Sequence, residues 1–303
     1  MGSFLNGQQP RRPRLRDLLT GAEPVLAPGA YDALSARLIE AAGFPAVYMT
    51  GFGTAASLLG RPDVGLLGMS EMVANARRIA AAVDVPVIAD ADNGYGNPIN
   101  VIRTVREYEA AGVSAIHVED QVSPKKCGHM EGKQLVPAED MVAKLRAAVA
   151  ARRSDLVLIA RTDARAVEGF GNALQRARLY RDAGADVIFF EAPQSEEEIE
   201  RVAAELADVP LLFNWAEGGK TPPIGYQRLR ALGFRIIIFP LSALLAATRG
   251  MREVLATIRA DGTPAAALSG LPRFGEFTAF IGLPEIQELE QRFGAHPLET
   301  TRS

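Results

Sequence analysis

"YEAAGVSAIHVED", residues 108–120, closes a helical pattern, turns at a glycine, and runs into a short apolar stretch that stops on two acids. The plan recurs in "IEAAGFPAVYMTG" (39–51), "YRDAGADVIFFEA" (180–192) and "LRALGFRIIIFPL" (229–241). Glycine suits the left-handed residue that follows a helix. A run that is apolar at successive positions suits a strand covered on both faces. "VDVPVIADAD" (83–92), "SDLVLIARTD" (154–163) and "ADVPLLFNWAE" (207–217) follow the same scheme without the glycine.

The same scheme places strands at about 25–29, 46–50, 86–91, 115–120, 156–162, 187–191, 211–215 and 236–240, with helical patterns between them. Eight such units in about 240 residues predict an α/β fold, a (β/α)8 TIM barrel. The expectation is one domain over 1–303, with a barrel over about 15–260 and a C-terminal helical extension over about 261–303. A doubly wound sheet is the rival, because "YMTGFGTAA" (48–56) contains G-x-G-x-x-A after a strand. No strand ending in an acid follows about 20 residues on, as that fingerprint needs.

The chain has 303 residues and a formal charge of −3, so no basic field is available to hold nucleic acid. No apolar run approaches the ~18 residues of a membrane span. The N-terminal stretch is basic without an apolar segment, which argues against a secretory signal. A single cysteine excludes an intramolecular disulfide, and the cytoplasm is the expected compartment.

Barrel active sites lie where strands end. Here the strand ends read Thr50; Asp90 and Asp92; Glu119 and Asp120; Arg161 and Asp163; Glu191; Asn214 and Glu217; Ser242. Such a ring points to a site, although Asp120 and Asp163 could equally serve as helix caps or ion-pair partners. Asp90 and Asp92 are two apart, so in a strand both face one way. Carboxylates of this kind suit Mg²⁺, which takes one or two of them with waters. A general acid/base pair is the alternative. Arg161 can fork onto a carboxylate, and residues 50–52 can offer backbone N–H groups to another oxygen cluster.

Cys127 sits in "SPKKCGHMEGK" (123–133), on a long loop after the fourth strand. Lys125, Lys126 and His129 beside it are expected to lower the thiol pKa. Gly128 is expected to let the loop close over a bound acid.

Together these segments resemble the isocitrate lyase / phosphoenolpyruvate mutase superfamily. The likeness rests on "PGAYDALSARLIEAAGF", "YMTGFGTAASLLGRPDVGLL", "ADADNGYGN", "VEDQVSPKKCGHMEGKQLVP", "IARTDARA", "EGGKTP" and "FPLSALLAA". It implies a barrel holding Mg²⁺ or Mn²⁺, in a homo-oligomer (dimer or tetramer) whose C-terminal helix packs on or swaps with a neighbour. It implies Asp90 and Asp92 around the metal, with Asp63 and Glu119 in its water shell. Tyr48, Thr50, Gly51, Phe52, Gly128, Arg161, Glu191 and Asn214 would bind substrate. Cys127, with Lys125 and His129, would be catalytic.

The implied activity is a Mg²⁺-dependent C–C bond lyase, cleaving a small 2-hydroxy dicarboxylate of the 2-alkylmalate or methylisocitrate type by retro-aldol chemistry. Carboxyphosphonoenolpyruvate phosphonomutase, oxaloacetate hydrolysis or decarboxylation, and a degenerate barrel acting as a scaffold are the alternatives. Where 2-methylisocitrate lyases carry an arginine after "PLSA", this chain has Leu245, which weakens the tricarboxylate reading. Arg273 matches a second family arginine.

Overall fold

The structure, a computed structural model, describes residues 13–294. Its eight strands are β1 (Val25–Ala30), β2 (Val47–Met49), β3 (Val87–Asp90), β4 (Ala115–Glu119), β5 (Val157–Thr162), β6 (Val187–Phe190), β7 (Leu211–Asn214) and β8 (Phe234–Phe239). All pair in parallel with their sequence neighbours, and β8 returns to β1 to close the barrel. Each strand lies within two residues of its expected limits.

Strand alternation divides the core in two. Tyr48, Ile88, Ala115, Val157, Ile159, Val187, Phe189, Leu212 and Ile236 fill the barrel interior. Val47, Met49, Val87, Ala89, Ile116, Leu158, Ile188 and Leu211 pack outward against helices. Continuing each inward column by two residues reaches Thr50, Asp90, His117 then Glu119, Arg161, Glu191 and Asn214. The polar ring is therefore the C-terminal layer of the same columns whose lower layers are apolar. Register fixes who stands beside whom: Asp90 is paired with His117, and Glu119 with Arg161.

The same parity sends Asp120 the other way, toward the helix Phe170–Asp182. Its Oδ2 accepts from Thr162 Oγ1 and Tyr180 Oη, both at 2.8 Å, and its Oδ1 accepts from Asp163 N at 2.9 Å. Arg176 lies 3.5 Å away. Asp120 is thus a structural member of the acidic strand ends. Glu217 and Ser242 also serve structure, since Glu217 accepts from Ser242 Oγ and from Leu241 N.

Among the described residues, two α-helices of the barrel unit were not foreseen. Leu15–Thr20 is only six residues long and has little intrinsic stability. It forms because Leu15, Leu18 and Leu19 plug the barrel floor, with Arg16 paired to Asp186 at 3.0 Å. Gly51–Leu59 carries two glycines in its first turn, where propensity is poor. It is started by Thr50, whose Oγ1 accepts from Gly53 N at 3.2 Å. Gly51 is required there, since a Cβ would lie 2.2 Å from Asp90 Oδ2.

Among the described residues a second compact unit comprises 246–294, with the division falling inside the helix Ser242–Asp261. It continues through Phe274–Phe280 and Leu283–Phe293, and none of these three helices buries a residue. Among the described residues no helix is long and apolar enough to cross a membrane.

Asp120→Ala would leave three buried donors and Arg176 without their acceptor. A loss of about 3–5 kcal/mol is expected in urea unfolding. A loss below about 1 kcal/mol would show that Asp120 is not a structural anchor.

Candidate active site

Eleven of the expected residues line one pocket of about 50 Å³ at the C-terminal end of the barrel: Tyr48, Thr50, Phe52, Asp63, Asp90, Cys127, Gly128, His129, Arg161, Glu191 and Asn214. Gly51 stands directly behind, against Asp90. Asp92, Glu119 and Lys125 form the buried polar layer around it. Pro240 and Leu241, which the sequence reading did not single out, add an apolar wall.

The acidic pair converges for a different reason than expected. β3 ends at Asp90, and Asp92 lies beyond it with a left-handed φ of 46°. The turn, not strand alternation, brings them together, and Asp92 N donates to Asp90 Oδ1 at 2.9 Å. Burial raises Asp92 to about 6, against the pull of Lys125. Asp90 is buried too, yet His117 (charged in acid), Lys125 and Arg161 hold it at about 2. Burial drives Glu119 well above the usual carboxylate range, and neither of its oxygens has a hydrogen-bond partner.

Arg161 is the fixed cation. It forks onto Asp163 through Nε and Nη2 at 2.9 and 3.0 Å; Nη1 lies 3.3 Å from Glu119, and Nη2 also lies 3.5 Å from Glu191. Asn214 Nδ2 donates to Glu191 at 3.1 Å. At the pocket's inner end Tyr48 Oη lies 2.9 Å from His117 Nε2. Burial lowers His117 to about 4, so its imidazole is neutral. His117 was not picked out from sequence; one polar residue in an apolar strand was the available signal.

The cysteine loop corrects the reading of the thiol. Lys125 turns away from Cys127 and pairs with Asp63 at 2.6 Å and Asp92 at 2.8 Å. Lys126 Nζ faces the carbonyl of Glu131 at 3.4 Å. No lysine is left to stabilise a thiolate. Burial instead raises Cys127 to about 11, although the His129 N–H and Arg161 oppose it. His129 Nδ1 accepts from Lys220 N at 3.1 Å, which leaves its proton on Nε2, 3.2 Å from Glu191. Gly128 must be glycine here, since a Cβ would come within 2.4 Å of Arg161 Nη2.

Six buried carboxylates (Asp63, Asp90, Asp92, Glu119, Asp163 and Glu191) thus face three buried cations (Lys125, Lys133 and Arg161). Among the described residues no three His, Cys, Asp or Glu side chains gather as a direct metal cage. The unpartnered oxygens of Glu119 and the raised Asp92 nevertheless suit a hard divalent ion held by one or two carboxylates and by waters.

The phosphoenolpyruvate phosphomutase family matches residues 15–259. A 2,3-dimethylmalate lyase of Eubacterium barkeri is 48% identical over 281 residues, covering 92% of this chain and 97% of the relative. A 2-methylisocitrate lyase of Aeropyrum pernix is 46% identical over 288 residues, covering 94% and 92%. Among solved structures, an oxaloacetate acetylhydrolase bound to 3,3-difluorooxalacetate has a TM-score of 0.89 at 40% identity, covering 94% and 97%. A phosphonopyruvate hydrolase with oxalate and Mg²⁺ has a TM-score of 0.84 at 35% identity, covering 92% and 98%.

The raised thiol has a direct readout. Thiolate is the alkylated form, so a pKa of about 11 keeps the rate low at neutral pH. The logarithm of the iodoacetamide rate at Cys127 should climb with a slope of one up to pH ~10 without levelling. A plateau below pH ~8.5, the ordinary thiol range, would restore the activated-thiolate reading.

Proposed function

The chain belongs to the phosphoenolpyruvate phosphomutase family, and on that premise we propose that it cleaves a C–C bond of a small 2-hydroxy dicarboxylate. The observation that carries this reading is Cys127: a thiol kept protonated by burial, on the wall of a pocket whose other walls are Arg161, Asp90 and the helix start at Thr50. Relatives named 2,3-dimethylmalate lyase and 2-methylisocitrate lyase support it.

Arg161, preorganised by Asp163, binds the carboxylate next to the hydroxyl. With Gly53 N taken by Thr50, the N–H groups of Gly51 and Phe52 at the start of the helix Gly51–Leu59 would receive a second oxygen cluster. Asp90 and Asp92 would hold Mg²⁺ or Mn²⁺, with Glu119 and Asp63 on its waters; when bound, the ion polarises the 2-hydroxy acid oxygens. The Mg²⁺ of the related phosphonopyruvate hydrolase supports this assignment. The substrate hydroxyl gives up its proton toward the Tyr48–His117 pair. The bond between C2 and C3 breaks, C2 becomes a 2-oxo acid, and the electron pair stays on C3. Cys127 delivers its proton to that carbon and is reprotonated from solvent after product release.

A raised thiol pKa favours this role. A general acid must be protonated at the working pH, and Cys127 loses its proton only as pH rises toward about 11. A phosphonomutase would have no need of such an acid, because P–C bond formation leaves no carbanion to protonate.

The chain should also assemble with copies of itself. The helix Ser242–Asp261 exposes Met251, Leu255 and Ile258, four and three residues apart on one face. Phe274 and Phe293 are exposed as well, at 83% and 65%. A partner subunit would cover them.

The reading is tested by assaying alkylmalates, 2-methylisocitrate, oxaloacetate and a phosphonate in parallel with Mg²⁺. Leu245 is half exposed and bears no charge, so a third carboxylate finds no arginine there. Dicarboxylates should show the higher kcat/KM, and a preference for 2-methylisocitrate over every dicarboxylate would refute the Leu245 argument. Cys127→Ser should lower kcat on the order of 10²–10⁴ with KM nearly unchanged. A serine variant within a few-fold of wild type would remove the thiol from the mechanism, and full turnover after EDTA treatment would remove the metal.

A further inference from the structure

The segment 121–135 is a loop tied at its base. Val122 N donates to Gln134 O at 2.9 Å, Val136 N donates to Asp120 O at 2.9 Å, and Gln121 bridges Leu135. The base alone does not decide where the tip lies. Cys127 N donates to Asp63 O at 3.1 Å, and Met130 N turns back onto Cys127 O at 2.9 Å. Those bonds shape the tip, while Lys125 on Asp63 and Asp92 and His129 beside Glu191 hold its flanks; none of them reaches the Gly128 carbonyl or Asp163.

Lys133 joins those two groups. Although a lysine in a loop, it is only 7% exposed. Its Nζ donates to the carbonyl of Gly128 and lies 3.3 Å from Asp163 Oδ1. Asp163 in turn is held by the Arg161 fork and by its own N–H on Asp120. The chain of contacts runs from the barrel wall through Asp163 and Lys133 to the peptide that follows the thiol.

We propose that Lys133 is a positioning residue: its ammonium clamps the Gly128 carbonyl to Asp163 and so holds the Cys127–Gly128–His129 turn over the pocket. The role of that turn in proton delivery rests on the lyase reading above; the clamp itself does not. Without the cation, a buried carbonyl and part of the Asp163 charge lose their partner, and the closed loop is no longer favoured over an open, solvated one.

The test uses the full chain without substrate, at pH 8.5, and follows Cys127 alkylation by iodoacetamide together with proteolytic nicking within 123–133. Lys133→Met keeps length and removes charge and donors. It should alkylate at least tenfold faster than wild type, and nick faster, with an unchanged circular dichroism spectrum. Lys133→Arg keeps a cation and donors and should stay within about threefold of wild type. Where a dicarboxylate is turned over, Lys133→Met should lower kcat by roughly 10²-fold, the cost of a misplaced group, with a smaller change in KM. If the Met variant does not fold, Lys133→Gln takes its place under the same tenfold threshold. Alkylation within twofold of wild type in a folded charge-free variant overturns the clamp, whatever happens to activity. Faster alkylation in a protein that cleaves none of the substrates upholds the clamp and removes the lyase reading instead.

Discussion

At one end of the barrel buried carboxylates outnumber buried cations, and that imbalance governs the geometry of the site. Asp63, Asp90, Asp92, Glu119, Asp163 and Glu191 are each under 10% exposed, with Lys125, Lys133 and Arg161 as their buried counterions. Ionised carboxylates out of water are costly unless paired. Asp163 and Arg161 satisfy each other. Glu119 does not find a full partner, and its raised pKa and unpaired oxygens record that deficit. A divalent ion and an anionic substrate would together change this balance, and Lys125, bridging Asp63 and Asp92, links it to the cysteine loop.

The barrel makes this arrangement possible because strand parity sorts side chains without regard to their charge. "VED" at 118–120 shows how finely: Glu119 points into the barrel beside Arg161, while Asp120, one residue on, points out and binds Tyr180. Two adjacent acids thus serve different ends, one the site and one the helix layer. Apolar layers below keep the inward acids from water on that side, with Phe189 lying 5.0 Å under the Arg161 guanidinium.

Much of this was legible in the sequence, because the strand and helix periods set the fold and the strand ends carry the ring. What was not legible depended on distant partners. The helix Gly51–Leu59 starts with poor formers and needs Asp90, at the end of the neighbouring strand, to explain its glycine. Lys133 reads as a solvated loop charge until Asp163 appears beside it. Most tellingly, three basic residues around Cys127 suggest an activated thiolate, yet Lys125 and Lys126 spend their charge elsewhere and burial decides the sign. Proximity in sequence does not give proximity of charge in a loop that folds back on itself.

On the function proposed here, a protonated thiol, a fixed guanidinium and an acidic pair would break a bond to carbon and then protonate that carbon. The most direct measurement is to incubate the chain with Mg²⁺ and a malate alkylated at both C2 and C3 in D₂O, so that the C3-derived carbon becomes stereogenic on deuteration, and to follow the products by NMR. The account predicts equal amounts of a 2-oxo acid and a carboxylate, with one solvent deuterium, in a single configuration, on the carbon that was C3. An intact C2–C3 bond for every alkylmalate tried, or cleavage with deuterium placed on both faces of that carbon, would contradict it.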